Sequence, residues 1–384
     1  MIAILPVSQV QESIEGKAKL RFGSNHSVFY NPKMALNRDL SVLLVKSFFR
    51  GRRIRICDPM TATGVRAIRY ASECPNVESV AASDVDPTSA TFANRMIELN
   101  NLTERITVTQ ANASSLMRDH METGFNLVDL DPFGSPSPYF ESALHCIAEG
   151  GILASTATDM APLTGARSAA CFRKYGVVTT RTVFEKETAV RILAACLTLV
   201  SGRLQLGVKV IFSHGSDHYI RLYVQVNKGR QAANNSIRNL GFLEYCSHCL
   251  SRVTRLVFEE NELNCNNCGS KIRTIGPLWL GELWDPELVL LMNSQAVTID
   301  SSRLTYLQTL LDQVSGEMYA PPFYHRIDRI AHNLRMNPPR VRDVVSTLRS
   351  FGYVGTLTHF HPNAFRTDAP DQIILGTFGG RKEA

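Results

Sequence analysis

Between residues 52 and 156, short apolar runs alternate with longer stretches whose apolar positions recur at helical spacing. Residues 53–57, 77–83, 106–109, 125–130 and 151–155 read as five strands. Residues 64–73, 87–100, 114–122 and 138–148 read as the helices between them, the second opened by a proline where helices tolerate one. Such alternation predicts a parallel sheet covered on both faces, because parallel neighbours are joined by right-handed crossovers. After residue 157 the pattern changes. Residues 188–202 form a strongly apolar helix. Residues 207–212 and 219–227 then read as a hairpin closed by a short polar loop at 214–217. Residues 228–275 are less apolar and carry four paired cysteines, and residues 280–384 form a further region ending in a small helical module.

Composition narrows the class. A chain of 384 residues predicts two or three domains. Apolar residues at 44% and charged residues at 20% exclude a disordered chain. The longest apolar run, near 192–200, falls short of the ~18 residues a membrane span needs. The start of the chain, Met1 to Pro6, lacks the early basic residues of a signal peptide. Five of the nine cysteines (Cys57, Cys74, Cys146, Cys171 and Cys196) stand singly among apolar residues. That argues against a disulfide framework and for a reducing cytoplasm. The net charge of +6 permits a polyanionic partner without demanding one.

Ligands of an open parallel sheet bind beyond the carboxyl ends of its strands. The first strand leads into Asp58-Pro59-Met60-Thr61-Ala62-Thr63-Gly64-Val65-Arg66, a small-residue turn that lets a ligand approach backbone and helix N-terminus. The phosphate-cradling fingerprints of dinucleotides and nucleoside triphosphates are missing. The second strand ends at Asp84-Val85-Asp86, where a carboxylate is placed to accept bonds from ribose hydroxyls. Asp84 is the first choice, and Asp86 serves equally as a helix cap. The third strand leads to Asn112-Ala113, an amide and a small residue suited to flank an adenine ring.

The fourth strand ends in Asp131-Pro132-Phe133-Gly134. Exocyclic amines of nucleobases are poor nucleophiles because the nitrogen lone pair is delocalised into the ring. A carboxylate and a backbone carbonyl accepting the two N–H bonds would localise that lone pair, while an aromatic side chain stacks on the base. A turn stapled by a buried aromatic ring would use the same residues.

These features resemble a class I S-adenosylmethionine-dependent methyltransferase, whose seven-stranded, Rossmann-like sheet ends in an antiparallel hairpin. The tetrad is similar to the D/N/S-P-P-Y/F motif of amino-group methyltransferases and departs from it at Phe133. Further segments are similar to the tRNA (guanine-26) N2,N2-dimethyltransferase family: Glu15-Gly16-Lys17-Ala18, Val28 to Pro32, Asn37-Arg38-Asp39, Thr158 to Leu163 and Asp217 to Arg221. The resemblance runs from about residue 15 to the C-terminus. It implies that Arg38, Arg66, Asp84, Asn112 and Ala113 line the cofactor site, the arginines meeting the methionine carboxylate or flanking the pocket. Asn112 stands where the family often has an acid. Asp131 would be the catalytic carboxylate with the Pro132 carbonyl beside it, and Phe29 and Phe133 would sandwich the extruded guanine.

Cys246, Cys249, Cys265 and Cys268 form C-x2-C-x15-C-x2-C, the spacing of a closed, structural tetrathiolate zinc site. His248, inside one knuckle, reads as exposed rather than a ligand. From Tyr324 to Asp368 the pattern suggests a winged-helix-like module. Ile327, Ile330, Ala331 and Leu334 line one helix, and Val341, Val344, Val345 and Leu348 line the next. Arg326, Arg329, Arg335, Arg340, Arg342 and Arg349 outnumber Asp328 and Asp343, a balance suited to phosphate contacts.

The expected organisation is a methyltransferase domain over 1–228, a four-cysteine zinc region over 229–275 and an α+β tRNA-binding domain over 276–384. The expected activity is methyl transfer from S-adenosylmethionine to the exocyclic N2 of a tRNA guanine, in the cytoplasm, with no membrane or protein partner evident. The rivals are a DNA amino-methyltransferase and a non-catalytic zinc and winged-helix regulator.

Overall fold

A computed structural model of the chain describes residues 11–23, 28–216, 218–257, 259 and 263–378. The apolar start at residues 1–6 and Asp217 of the hairpin signature lie outside the described residues. Numbered within the main sheet, the strands are β1 (Ile54–Asp58), β2 (Val77–Asp84), β3 (Ile106–Gln110), β4 (Phe125–Leu130), β5 (Ile147–Ala157), β6 (Leu206–Ser216) and β7 (Tyr219–Lys228). Their order across the sheet is β3-β2-β1-β4-β5-β7-β6. The first five pair in parallel, and β6 and β7 form the antiparallel hairpin, as the alternation predicts. The central strands are buried along almost their whole length, which is why they read as apolar runs rather than as alternating ones.

Two boundaries differ most from the sequence expectation. The helix expected over 138–148 ends at Cys146, and β5 begins at once with Ile147. The polar loop expected at 214–217 is largely strand: His214 pairs with Arg221 across the hairpin and is fully buried. Burial among apolar neighbours pushes the His214 imidazole well below its ordinary pKa, with His359 and Arg221 adding to the effect, so a residue that reads as polar sits there uncharged.

The chain divides into two compact units. The first comprises Met1–Asp131, Tyr139–Ser155 and Leu290–Thr309; the second comprises Pro132–Pro138, Thr156–Val289 and Leu310–Ala384. In the first, the hairpin Gln11–Glu15/Ala18–Phe22 is tied to helix Val65–Glu73. Glu15 accepts from both Arg38 and Arg69, and Arg69 also pairs with Asp39 and Glu73. Gly16 turns there at φ +53°, a strained conformation for any other residue, and a Cβ would stand 2.2 Å from a Glu73 carboxylate oxygen and push into the Arg69–Glu73 pair. Ser301 donates to Asp39 at 2.6 Å, fastening the 290–309 segment to helix Ala35–Phe48.

In the second unit the long helix Glu185–Arg203 is buried along most of its length and carries Glu187 inward. Glu187 accepts from the backbone N–H groups of Phe323 and Tyr324 and pairs with Arg191 and Arg366. Arg366 bridges to a second buried acid, Glu317, at 2.7 Å, and Thr358 and His359 also donate to Glu317. Burial by itself would raise the Glu317 pKa, but His359 and Arg366 bring it down to about 2. The C-terminal residues form helices Ile327–Asn333 and Val341–Ser350 with a three-stranded antiparallel sheet around a small core. Leu334, expected on the apolar face, lies just past its helix and is 39% exposed.

Arg366→Met leaves two buried carboxylates short of their counter-charge and should lower unfolding free energy by about 3–5 kcal/mol in urea at pH 7. The Glu317 contribution is full above its unfolded pKa near 4.5 and is lost as pH falls towards 2. The difference between wild type and variant should therefore narrow across that window.

Candidate active site and thiolate centre

The turn after β1 holds an uncommon backbone. Ala62 has φ +47° and Gly64 φ +77°, both left-handed, and a non-glycine residue in that region marks a site where surroundings impose the conformation. The Ala62 N–H donates to Asp84 Oδ2 at 3.0 Å, and Thr61 Oγ1 donates to Asp58 Oδ2 at 2.8 Å. Asp84 Oδ1 accepts from the Asp86 N–H. A carboxylate has about four acceptor positions, so Asp84 retains capacity for ribose hydroxyls. Asp86 is committed elsewhere: it caps helix Pro87–Leu99 through the N–H groups of Thr88 and Ser89. Asn112 likewise caps helix Ala113–Asp119 by accepting from the Ser114 N–H, and Ala113 is buried behind it.

Arg38 and Arg66 are both buried in ion pairs. Arg38 makes a two-pronged pair with Glu15 and donates to the Asn31 carbonyl. Arg66 Nη2 reaches Asp131 Oδ2 at 2.5 Å and Asn37 Oδ1 at 3.2 Å; its Nη1 reaches Asp129 Oδ2 and the Ser41 hydroxyl. Tyr70 donates to the same Asp129 oxygen at 2.6 Å. Two carboxylates, Asp129 and Asp131, thus share one guanidinium, whose charge also acts on the nearby Asp58. Burial lowers the proton affinity of Arg66, but Asp129 and Asp131 outweigh it and hold its proton firmly. Burial also pushes the Asp58 carboxyl up; Arg66 and Thr61 pull against Asp129 and Asp131, and it settles at about 7. Asp129, Tyr70 and Ser41 gave no chemical signal in the sequence, and Asn37 stood out only within the Asn37-Arg38-Asp39 family segment. Asp58 had one, as the acidic last residue of an apolar strand.

Asp131 itself is partly exposed, its side chain 22% accessible against 5% for Arg66. Phe133 is 79% and Phe29 53% exposed, unusual for rings of that size. The loop carrying Phe133 is fixed from the next strand end. The Gly134 N–H donates to Thr158 Oγ1 at 2.7 Å, and the Thr158 N–H donates to the Gly134 carbonyl at 2.9 Å. Gly134 has φ +92°, a conformation its neighbours would resist.

The four cysteines flank a three-stranded antiparallel sheet of Leu240–Tyr245, Arg252–Leu256 and Arg273–Trp279. Their sulfurs all lie within 4.8 Å of one another, with Cys246–Cys268 at 3.6 Å and Cys249–Cys265 at 3.5 Å. Sulfurs about 2.3 Å from one zinc ion stand about 3.8 Å apart at tetrahedral angles, so the donors fit zinc. The two knuckles match. The Leu250 N–H donates to the Cys246 carbonyl, and the Gly269 N–H to the Cys265 carbonyl; Leu250 and Gly269 both take positive φ, at +64° and +69°. His248 is exposed, as expected. A closed tetrathiolate shell leaves no coordination position for water, so the centre is structural.

The sheet order, the glycine turn after β1, the carboxylate after β2 and the Asp131 loop after β4 define a class I S-adenosylmethionine-dependent methyltransferase. A family model for N2,N2-dimethylguanosine tRNA methyltransferase matches residues 8–378. The tRNA (guanine(26)-N(2))-dimethyltransferase of Methanobrevibacter smithii is 33% identical over 365 residues, 93% of this chain and 94% of that protein. The Aquifex aeolicus tRNA (guanine(26)-N(2)/guanine(27)-N(2))-dimethyltransferase is 32% identical over 92% of this chain and 90% of its own. The solved structure of Trm1 from Pyrococcus horikoshii with S-adenosyl-L-methionine is similar at a TM-score of 0.87 and 31% identity, covering 96% of this chain and 99% of that one. The chain belongs to the N2,N2-dimethylguanosine tRNA methyltransferase family.

Two measurements check this geometry. The raised Asp58 pKa means the folded state keeps a proton that the unfolded state releases near 3.8, so this group's contribution falls as pH rises to about 7 and stays low above it. Asp58→Asn should therefore gain on wild type by up to about 4 kcal/mol between pH 4 and pH 8 in chemical denaturation without cofactor. Metal analysis should find one zinc per chain, and Cys246→Ser should release it and deprotect the amides of 240–279 to hydrogen exchange. Unchanged protection without metal would show that the sheet holds itself.

Proposed function

We propose that this chain transfers two methyl groups in succession from S-adenosylmethionine to N2 of guanosine 26 of tRNA, with Asp131 as the catalytic residue. Family membership supports S-adenosylmethionine-dependent tRNA N2,N2-dimethylation of guanosine and leaves the DNA-modifying and non-catalytic alternatives without a footing. The observation that carries the assignment of Asp131 is its setting: a partly exposed carboxylate at the end of β4, aimed by a buried arginine, followed by an exposed aromatic ring.

S-adenosylmethionine supplies an already activated methyl group on a sulfonium, so the protein's task is alignment and proton acceptance. Asp131 and the Pro132 carbonyl accept the two N2–H bonds and turn the nitrogen lone pair towards the methyl. The amine becomes strongly acidic as its bond to carbon forms, and Asp131 takes the proton. The C–S bond breaks as the C–N bond forms, and S-adenosylhomocysteine leaves; Asp131 gives its proton to solvent before the second transfer, in which the one remaining N–H is accepted by Asp131. Phe29 and Phe133 offer ring faces to the flipped guanine, offsetting the few kcal/mol that extrusion costs. Asp84 holds the ribose of the cofactor, Asn112 and Ala113 border its adenine, and Arg38 and Arg66 flank the methionine end.

We assign the chemistry to residues 1–228, the metal to 229–275 and the tRNA grip to 276–384, a division of labour rather than of compact units. In the winged-helix-like segment the arginines with most capacity for phosphate are Arg335, Arg340 and Arg342; Arg326 and Arg329 both pair with Asp328, and Arg349 donates to the Gly355 carbonyl. The protein is placed in the cytoplasm, where its thiols stay reduced. Among the described residues no helix is long and apolar enough to cross a membrane.

Asp131→Asn keeps the shape of the site and removes the proton acceptor. Calorimetric affinity for S-adenosylmethionine should stay within a few-fold, while N2-methylguanosine and N2,N2-dimethylguanosine formation, read by nucleoside mass spectrometry, should fall about a hundredfold or more. Wild-type turnover in this variant would remove Asp131 from the mechanism.

A further inference from the structure

The helix Ser168–Tyr175 has no role in the chemistry above, yet it is bolted to the loop that carries Phe133. Ser137 Oγ donates to the Lys174 carbonyl at 2.9 Å, in addition to the two bonds between Gly134 and Thr158. Asp159, next to Thr158, accepts from Lys174 Nζ at 2.7 Å and from the Tyr175 hydroxyl at 2.6 Å. Loop, strand end and helix are therefore held as one piece of the second unit.

The outer side of that helix is unlike an ordinary solvated face. Phe172 leaves 60% of its surface exposed, with Arg173 exposed beside it and Arg167 exposed at the helix start. Arg181 is exposed as well, and its backbone runs beside the start of the helix. Gly165, at φ +81°, lets the chain pass so close that a Cβ would stand 2.2 Å from the Thr180 carbonyl carbon and 2.6 Å from the Arg181 nitrogen. Ser168 Oγ also donates to the Thr179 carbonyl at 2.8 Å, locking 179–181 against the helix start. From Met160 to Phe184 the sequence holds four basic residues (Arg167, Arg173, Lys174 and Arg181) and no acidic one. Of these, Lys174 is engaged with Asp159.

An exposed ring among cations, with no acid in the segment, fits a polyanion whose units also carry flat apolar faces: RNA with unstacked bases. Stacking needs a base splayed out of a helix, whereas duplex RNA offers phosphates, 2′-hydroxyls and groove edges but no open base face. We propose that Phe172, Arg167, Arg173 and Arg181 form a platform for the nucleotides flanking the target guanine, Phe172 stacking on one unpaired base and the arginines meeting phosphates. This rests on the reading of the Asp131 loop as the guanine acceptor, because that loop fixes where the flanking strand must run.

The test uses the full-length protein and a tRNA transcript containing the target guanine, with Phe172→Ala and Arg173→Ala compared with wild type across a salt series. Phe172→Ala should weaken tRNA affinity about tenfold at every salt concentration. Arg173→Ala should weaken it at low salt and reduce the slope of log affinity against log salt by about one. Both should raise KM for tRNA more than they lower kcat, with calorimetric affinity for S-adenosylmethionine within twofold of wild type. Variants that match wild type in tRNA affinity overturn the platform. So does a weakening by Arg173→Ala with none by Phe172→Ala, which points to duplex contact without stacking. Nucleoside mass spectrometry of tRNA treated with wild type is read separately: absence of N2-methylated guanosine overturns the function, whereas methylating wild type with unimpaired variants overturns the platform alone.

Discussion

A single buried guanidinium, Arg66, stands against three carboxylates at the carboxyl ends of two neighbouring strands. Burying so many acids around one cation is expensive, and the protein meets the cost by leaving one of them, Asp58, protonated up to about pH 7. Asp129 is fully buried and held by Tyr70, so it anchors the guanidinium from behind. Asp131, the most exposed of the acids paired with Arg66, is thereby given a fixed direction. In the proposed mechanism a flexible carboxylate would spend much of its time away from the amine it has to hold.

The same constraint explains residues far away in sequence. Arg66 is placed by helix Val65–Glu73, and that helix is fastened by the Arg69 pairs to Glu15, Asp39 and Glu73. Glu15 in turn binds Arg38. The Glu15-Gly16 and Asn37-Arg38-Asp39 segments, which read as separate family marks, belong to one buried network. Asn37 and Ser41 reach Arg66 directly from helix Ala35–Phe48. Substitutions in this network should therefore disturb the aim of Asp131 as well as the packing.

The second unit solves a comparable problem differently. Glu187 and Glu317 are fully buried, and Arg366 serves both, with backbone N–H groups taking up the remaining acceptor capacity of Glu187. This arrangement fastens the long helix Glu185–Arg203 to residues near the C-terminus. The thiolate centre fastens a three-stranded sheet in a shorter span of chain. Buried charge pairs, and a thiolate cluster fit to hold zinc, thus stand where small, loop-rich regions cannot build an extended apolar core.

Strand and helix placement was legible because covered strands are apolar and helices carry their own periodicity, and the knuckles were legible because two Cys-x-x-Cys turns are local chemistry. Asp131 and its neighbours were legible as a strand-end motif. The sequence by itself favoured Asp84 over Asp86 without excluding a helix cap for either; the structure commits Asp86 to a helix cap and leaves Asp84 at the turn. Only the tertiary structure could show that Arg66 aims Asp131, that Asp58 and Asp129 share its charge, and that His214 is interior strand rather than loop. Local pattern reports which face of an element is apolar. Partners of buried charges are chosen by packing among segments tens to hundreds of residues apart, and no local signal records that choice.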